Sequence, residues 1–156
     1  MPATVLLKDI VDALEILDDE SLSFVDRDTG EVETVSRELL GLAEESEGDE
    51  NKPELPAWQE TEWEMAKRIA ASDRFERLPT KFDVHEWGIM EEFSLSVESE
   101  KIRVDLLNAI RGAGAFRYFK DTIRRYGIEA DWYAFRAGAL RQVAIDWCEE
   151  NEIAWK

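Results

Sequence analysis

The stretch RGAGAFRYFKDTIRRYGIEADWYAFRAGALRQVAIDW, Arg111–Trp147, decides how the chain folds. In it Phe116, Phe119, Ile123 and Tyr126 follow at spacings of three, four and three, the rhythm of one helical face. Gly127 stands where that face ends, the position of a helix C′ glycine. Beyond it Trp132, Phe135, Ala139, Val143 and Trp147 keep helical spacing within a segment from about Glu129 to Glu150. The pattern predicts two helices joined at Gly127, the first starting near Ala113, with an aromatic seam between them. Arg117, Lys120 and Arg124 form a basic stripe beside the apolar one, with Arg125 and Arg111 near it.

Moving toward the N-terminus, Ile102, Leu106, Ala109 and Ile110 predict a helix that follows Ser96, carries Glu98 and Glu100 in its first turn and stops at Gly112. Before it, Thr80 with Asp83 reads as a capping-box variant opening a helix whose stripe is Phe82, His85, Ile89 and Phe93. Another helix is expected from Pro56, with Trp58, Met65 and Ile69 on its buried side. Ser36 is a candidate N-cap for a helix containing Leu39, Leu40 and Leu42. Leu7, Ile10, Leu14 and Leu17 mark a first amphipathic helix ending at Asp18–Asp19.

Two segments between these helices alternate in the manner of strands, SLSFVD and EVETV, joined by Asp26-Arg27-Asp28-Thr29-Gly30-Glu31. Asp at the first turn position and Gly near the end suit a short hairpin. A lone hairpin is marginal in water, so a third strand is expected at Arg74–Leu78. The fold expected is therefore α+β: a mostly helical single domain, residues 1–156, with a small antiparallel sheet. The acidic segment at about 44–55, with Gly48, Asn51 and Pro53 as breakers, reads as a flexible linker.

Charge is the clearest bulk feature. The net charge is −17, but it is polarised. Residues 1–62 hold 4 Lys/Arg against 19 Asp/Glu, a net of −15, whereas residues 101–141 hold 9 against 4, a net of +5. The mean field repels nucleic acid and anionic membrane, while the local patch does not. Cys148 is the sole cysteine, so no internal disulfide forms and a reducing, cytoplasmic setting is expected. The N-terminus lacks the basic and apolar regions of a signal peptide. No apolar run reaches the ~20 residues of a membrane span, so no membrane association is expected.

The catalytic motifs are missing. His85 is the only histidine, and no second one follows four residues on, as a zincin would need. Its place on an apolar stripe favours a packed core side chain over a general base. Cys148, near a helix C-terminus among acids, reads as an inert thiol. Asp26 and Asp28 beside Gly30 fail the calcium-loop frame, which needs Gly at position six. No phosphate-loop or dinucleotide signature occurs, so no cofactor and no metal are expected. Arg111-Gly112-Ala113-Gly114, leading into a helix N-terminus, reads either as a tight interhelical turn or as an anion site.

SFVDRDTGEVETVS, LPTKFDVHEW and the segment from Gly114 to Asn151, with its Gly114–Asp121 block and its Trp-Cys-Glu-Glu ending, resemble the uncharacterised protein family 0158. The resemblance covers most of the chain. It implies a small bacterial cytosolic protein and assigns no catalytic residues.

The leading functional reading is a non-enzymatic interaction or regulatory module that presents Arg111, Gly112, Gly114, Arg117, Lys120, Arg124 and Arg125 to a protein partner, with Tyr118 or Tyr133 as anchors. Nucleic-acid binding through the same face is a second reading. An enzyme acting on an anionic small molecule, with His85 or a carboxylate as base, is the third. Against all three stands a plain solvated face, its cations paired with acids of the N-terminal half.

Overall fold

The structure, a computed structural model, describes residues 3–46, 50–81 and 83–156. In chain order the elements are α1 (Leu7–Glu15), β1 (Ser21–Asp26), β2 (Val32–Ser36), α2 (Arg37–Glu44), α3 (Glu60–Ala71), β3 (Phe75–Arg77), α4 (Glu86–Ser96), α5 (Glu100–Ala109), α6 (Ala115–Arg125) and α7 (Glu129–Glu150). This is the expected α+β architecture, mostly helical with a three-stranded antiparallel sheet. Residues 47–49 of the acidic segment, and Phe82 of the expected helical stripe, lie outside the described residues. The chain divides into two compact units, one running to Asp83 and including Val143–Lys156, the other Val84–Gln142.

In the first unit the sheet order is β2-β1-β3, and the third strand forms where the sequence placed it. β1 is the central strand. Its backbone bonds one neighbour at every second residue, and Ser23 and Thr34, opposite each other, share a hydroxyl hydrogen bond of 2.8 Å. Leu22 and Phe24 point to the buried face as the alternation predicts. They pack with Val35, with Leu39, Leu40 and Ala43 of α2, and with Trp63, Ala66 and Ile69 of α3. Ser36 caps α2 by accepting the Leu39 N–H at 3.1 Å. The outer edge of β3 is partly covered, because the Trp147 indole N–H donates to the Arg77 carbonyl at 3.0 Å. Covering an edge in this way removes a template for unwanted strand pairing.

Buried Asp26 ties the hairpin turn to β3. One carboxylate oxygen accepts the Asp28 N–H at 2.9 Å, and the other faces the Arg74 guanidinium at 3.2 Å. The acidic turn is thus a structural device, in keeping with the failed calcium frame. The chain ends fold back together: Val5 bridges Trp155 in parallel, and the Leu7 N–H reaches the Lys156 carbonyl at 3.0 Å.

Trp58 is not on the buried side of its helix; it is 76% exposed. It sits in a 3-10 turn, Ala57–Gln59, ahead of α3. The tighter winding of that turn breaks the 3.6-residue count, so the buried face starts instead at Trp63.

In the second unit the aromatic seam is real. Phe93 meets Phe119, Trp132 and Phe135 edge-on, with centroids 6.2, 5.4 and 5.5 Å apart, and Phe119 meets Trp132 at 4.7 Å. Edge-to-face pairing sets a ring's positive rim against its neighbour's negative face. Gly127 closes α6 as expected: its N–H donates to the Arg124 carbonyl, while the Ile128 N–H donates to the Ile123 carbonyl. That pair of bonds is a Schellman motif. Three starts move. α4 begins at Glu86, because Thr80 and Asp83 bond each other in a turn of their own. α5 is capped by Ser99, not Ser96, whose hydroxyl instead donates back to Phe93 O. α6 begins at Ala115 rather than Ala113.

Candidate functional site

α6 carries the cationic surface. Its buried face is Ala115, Phe119, Thr122 and Ile123. Thr122 can face the core because its hydroxyl donates to the Tyr118 carbonyl at 2.7 Å, which leaves no unmet polar group. This rotates the helix from the expected stripe and puts Phe116, assigned to the core above, 54% in solvent. Phe116, Arg117, Lys120 and Arg124 then share one exposed flank at helical spacing. The missed signal was Ala115 with Thr122: a small residue and a self-satisfied one outcompeted a phenylalanine for the core face.

The cations differ in how far they are paired. Arg124 stands 3.8 Å from Glu129, and its side chain remains 69% exposed. Arg125 approaches Asp105 at 3.3 Å, while the Tyr126 hydroxyl also donates to that carboxylate. Among the described residues Arg111, Arg117 and Lys120 form no ion pair. Arg117 instead lies 5.3 Å from the Tyr118 ring centroid, a cation–π distance. Asp121 makes no pair with Arg117 or Arg125. Arg136 is consumed: its guanidinium binds both carboxylate oxygens of Glu86, at 2.5 to 3.2 Å.

Between α5 and α6 runs an open groove of about 370 Å³. Asp105, Asn108, Arg111, Tyr118, Thr122 and Arg125 line it. Gly112 and Gly114, both at positive φ, shape the connection beside it. A Cβ on Gly114 would come within 3.0 Å of the Tyr118 ring, so the ring lies flush against this glycine. Tyr118 and Tyr133, named as anchors, are 49% and 55% exposed.

His85 is not a core side chain. It is exposed and immediately precedes α4, and it is not among the residues lining the α5–α6 groove. Among the described residues no group of three or more His, Cys, Asp and Glu is placed to hold a metal ion. No described helix is long and apolar enough to cross a membrane.

Cys148 is fully buried. Burial, helped by the Glu149 carboxylate, pushes its thiol from 9.0 up to about 11. The folded thiol therefore stays protonated and unreactive at neutral pH. Iodoacetamide at pH 8 should label the native protein far more slowly than the denatured one; equal rates would contradict this placement. Because the unfolded thiol ionises first, Cys148 also makes stability fall as pH rises from about 9 towards 11.

Over 67 residues the chain is 34% identical to the Pseudomonas aeruginosa protein named "UPF0158 protein PA5073", a match covering 42% of this chain and 44% of that relative. The match thus spans less than half the relative's length. No solved structure matches the chain. The model of the uncharacterised protein family UPF0158 matches residues 1–156, and the chain belongs to that family.

Proposed function

We propose that this protein is a non-enzymatic interaction module whose α6 flank docks an acidic segment of a partner protein. One observation carries the reading: an exposed phenylalanine, Phe116, shares a helical flank with Arg117, Lys120 and Arg124. Single exposed apolar rings are common on protein surfaces, but here the ring shares its flank with three cations. An interface uses such a ring as an anchor and the surrounding cations to steer and orient its partner. The rest of the chain is strongly acidic. An acidic segment is therefore repelled by the rest of the chain and attracted at this patch.

A photo-crosslinking amino acid at Phe116 would capture the partner in source cells. Affinity for the captured protein would then be measured against the variant with Lys120→Glu and Arg124→Glu. The expected result is a loss of about tenfold or more with a flattened salt dependence. Unchanged affinity would refute the assignment of this face. Duplex DNA and structured RNA at low salt form the control arm, and binding there that the same variant abolishes would favour a polyanion over a protein.

A further inference from the structure

The α5–α6 groove is distinct from the flank assigned to a partner. Phe116, Lys120 and Arg124 do not line it; Arg111, Asn108, Tyr118 and Arg125 do. Its volume of about 370 Å³ is at the low end of the ~300–1,000 Å³ typical of small-molecule sites.

The donors in the groove outnumber what the protein itself uses. The one carboxylate there, Asp105, is already matched by the Arg125 guanidinium and the Tyr126 hydroxyl. Arg111 has no acid partner among the described residues, and its guanidinium presents a planar fork suited to a carboxylate or phosphate. Asn108 is exposed and adds a neutral amide. The Tyr118 ring lies against Gly114 and within cation–π distance of the Arg117 guanidinium, and its hydroxyl adds a neutral donor. The region 101–141 as a whole carries +5, which draws anions to a groove in an otherwise negative chain.

We propose that the α5–α6 groove binds the carboxylate or phosphate group of a small molecule, with Arg111 as the principal charged donor, the Arg125 N–H groups that Asp105 leaves free as the second, and Asn108 and Tyr118 as neutral donors. The proposal is independent of the partner-docking reading, because the two use different residues of α6.

The test is an NMR titration of the full chain with inorganic phosphate, and separately with citrate, at ionic strength held constant with sodium chloride. Saturable shifts confined to the Arg111 and Arg125 Nε–H groups and the Asn108 side-chain amide are expected. Arg111→Met should weaken the phosphate response about tenfold or more, and Arg111→Lys, which keeps charge but loses the fork, should weaken it less. Arg141→Met, at an exposed position outside the groove, should leave it unchanged. Saturation by citrate alone would assign the groove to carboxylates, and by phosphate alone to phosphates. Shifts spread evenly over exposed Lys and Arg residues, or shifts that persist in a folded Arg111→Met variant, would overturn the proposal.

Discussion

Replacing Trp63 with alanine is expected to cost the protein about 3–5 kcal/mol of stability, the range for removing a buried large aromatic. Trp63 is 0% exposed and is the largest side chain of the first unit's core cluster. That cluster joins Leu22, Phe24 and Val35 of the sheet to Leu39, Leu40 and Ala43 of α2. The helix of Trp63 itself adds Ala66 and Ile69. Met65 and Leu42 pack against this cluster from its margin and can fill the void only in part, because surrounding structure relaxes incompletely. The cavity would persist, and the cost of the cavity adds to the lost transfer free energy. Guanidinium unfolding followed by far-ultraviolet circular dichroism measures it. The midpoint should fall sharply for Trp63→Ala and much less for Trp63→Phe, which keeps most of the ring volume. Equal midpoints for wild type and Trp63→Ala would mean that the sheet and the α2–α3 pair do not share this core. Trp58, five residues earlier and 76% exposed, is the natural control: Trp58→Ala should change stability by less than about 0.5 kcal/mol.

The second large effect is expected at Gly30. Its φ of +77° lies in the left-handed region, where a side chain alone costs roughly 1–2 kcal/mol. Space adds a second penalty. A Cβ there would stand 2.4 Å from the Thr4 carbonyl oxygen, a backbone atom that cannot rotate away. Thr4 in turn precedes Val5, which is fully buried and bridged to Trp155. Relieving the clash would therefore mean moving the paired chain ends. Gly30→Ala should lose more than about 2 kcal/mol, above the conformational cost by itself. Gly30→Asn separates the two causes. Asn tolerates the left-handed region, yet it still carries the Cβ, so it should remain strongly destabilising. At Gly127, with φ of +66° and nothing within 4 Å of an added Cβ, Asn should cost little. If Asn proves equally mild at both positions in thermal unfolding, the close approach of Thr4 is wrong.

Much of the architecture was legible because local chemistry spoke for itself. The hairpin was announced by two-residue alternation on either side of an Asp-rich turn ending in Gly30, and the third strand by a short segment between Asp73 and Pro79. Gly127 and the run from Glu129 to Glu150 located the last two helices because a C′ glycine and a long period of 3.6 are both local signals. The errors fell where two local signals competed. Ser96 and Ser99 were equally good caps by residue type, and only the path of the chain into α5 chose between them. Trp58 lay in phase with the α3 stripe, but a 3-10 turn broke the phase. Phe116 lay in phase with Phe119, but Thr122 bonded to its own helix and took the core face.

Along the chain, then, periodicity and turn chemistry determined the α+β class, the order of the elements and the polarity of charge, since each depends on residues within a few positions of one another. The tertiary structure decided which side of α6 is wet, that Arg136 is spent on Glu86 while Arg111 is not, and that Asn108, Arg111, Tyr118 and Arg125 share one groove. Those are facts about neighbours in space. An arginine at any position has the same charge in the sequence, and whether that charge is available to a ligand is set by the carboxylates that folding brings beside it.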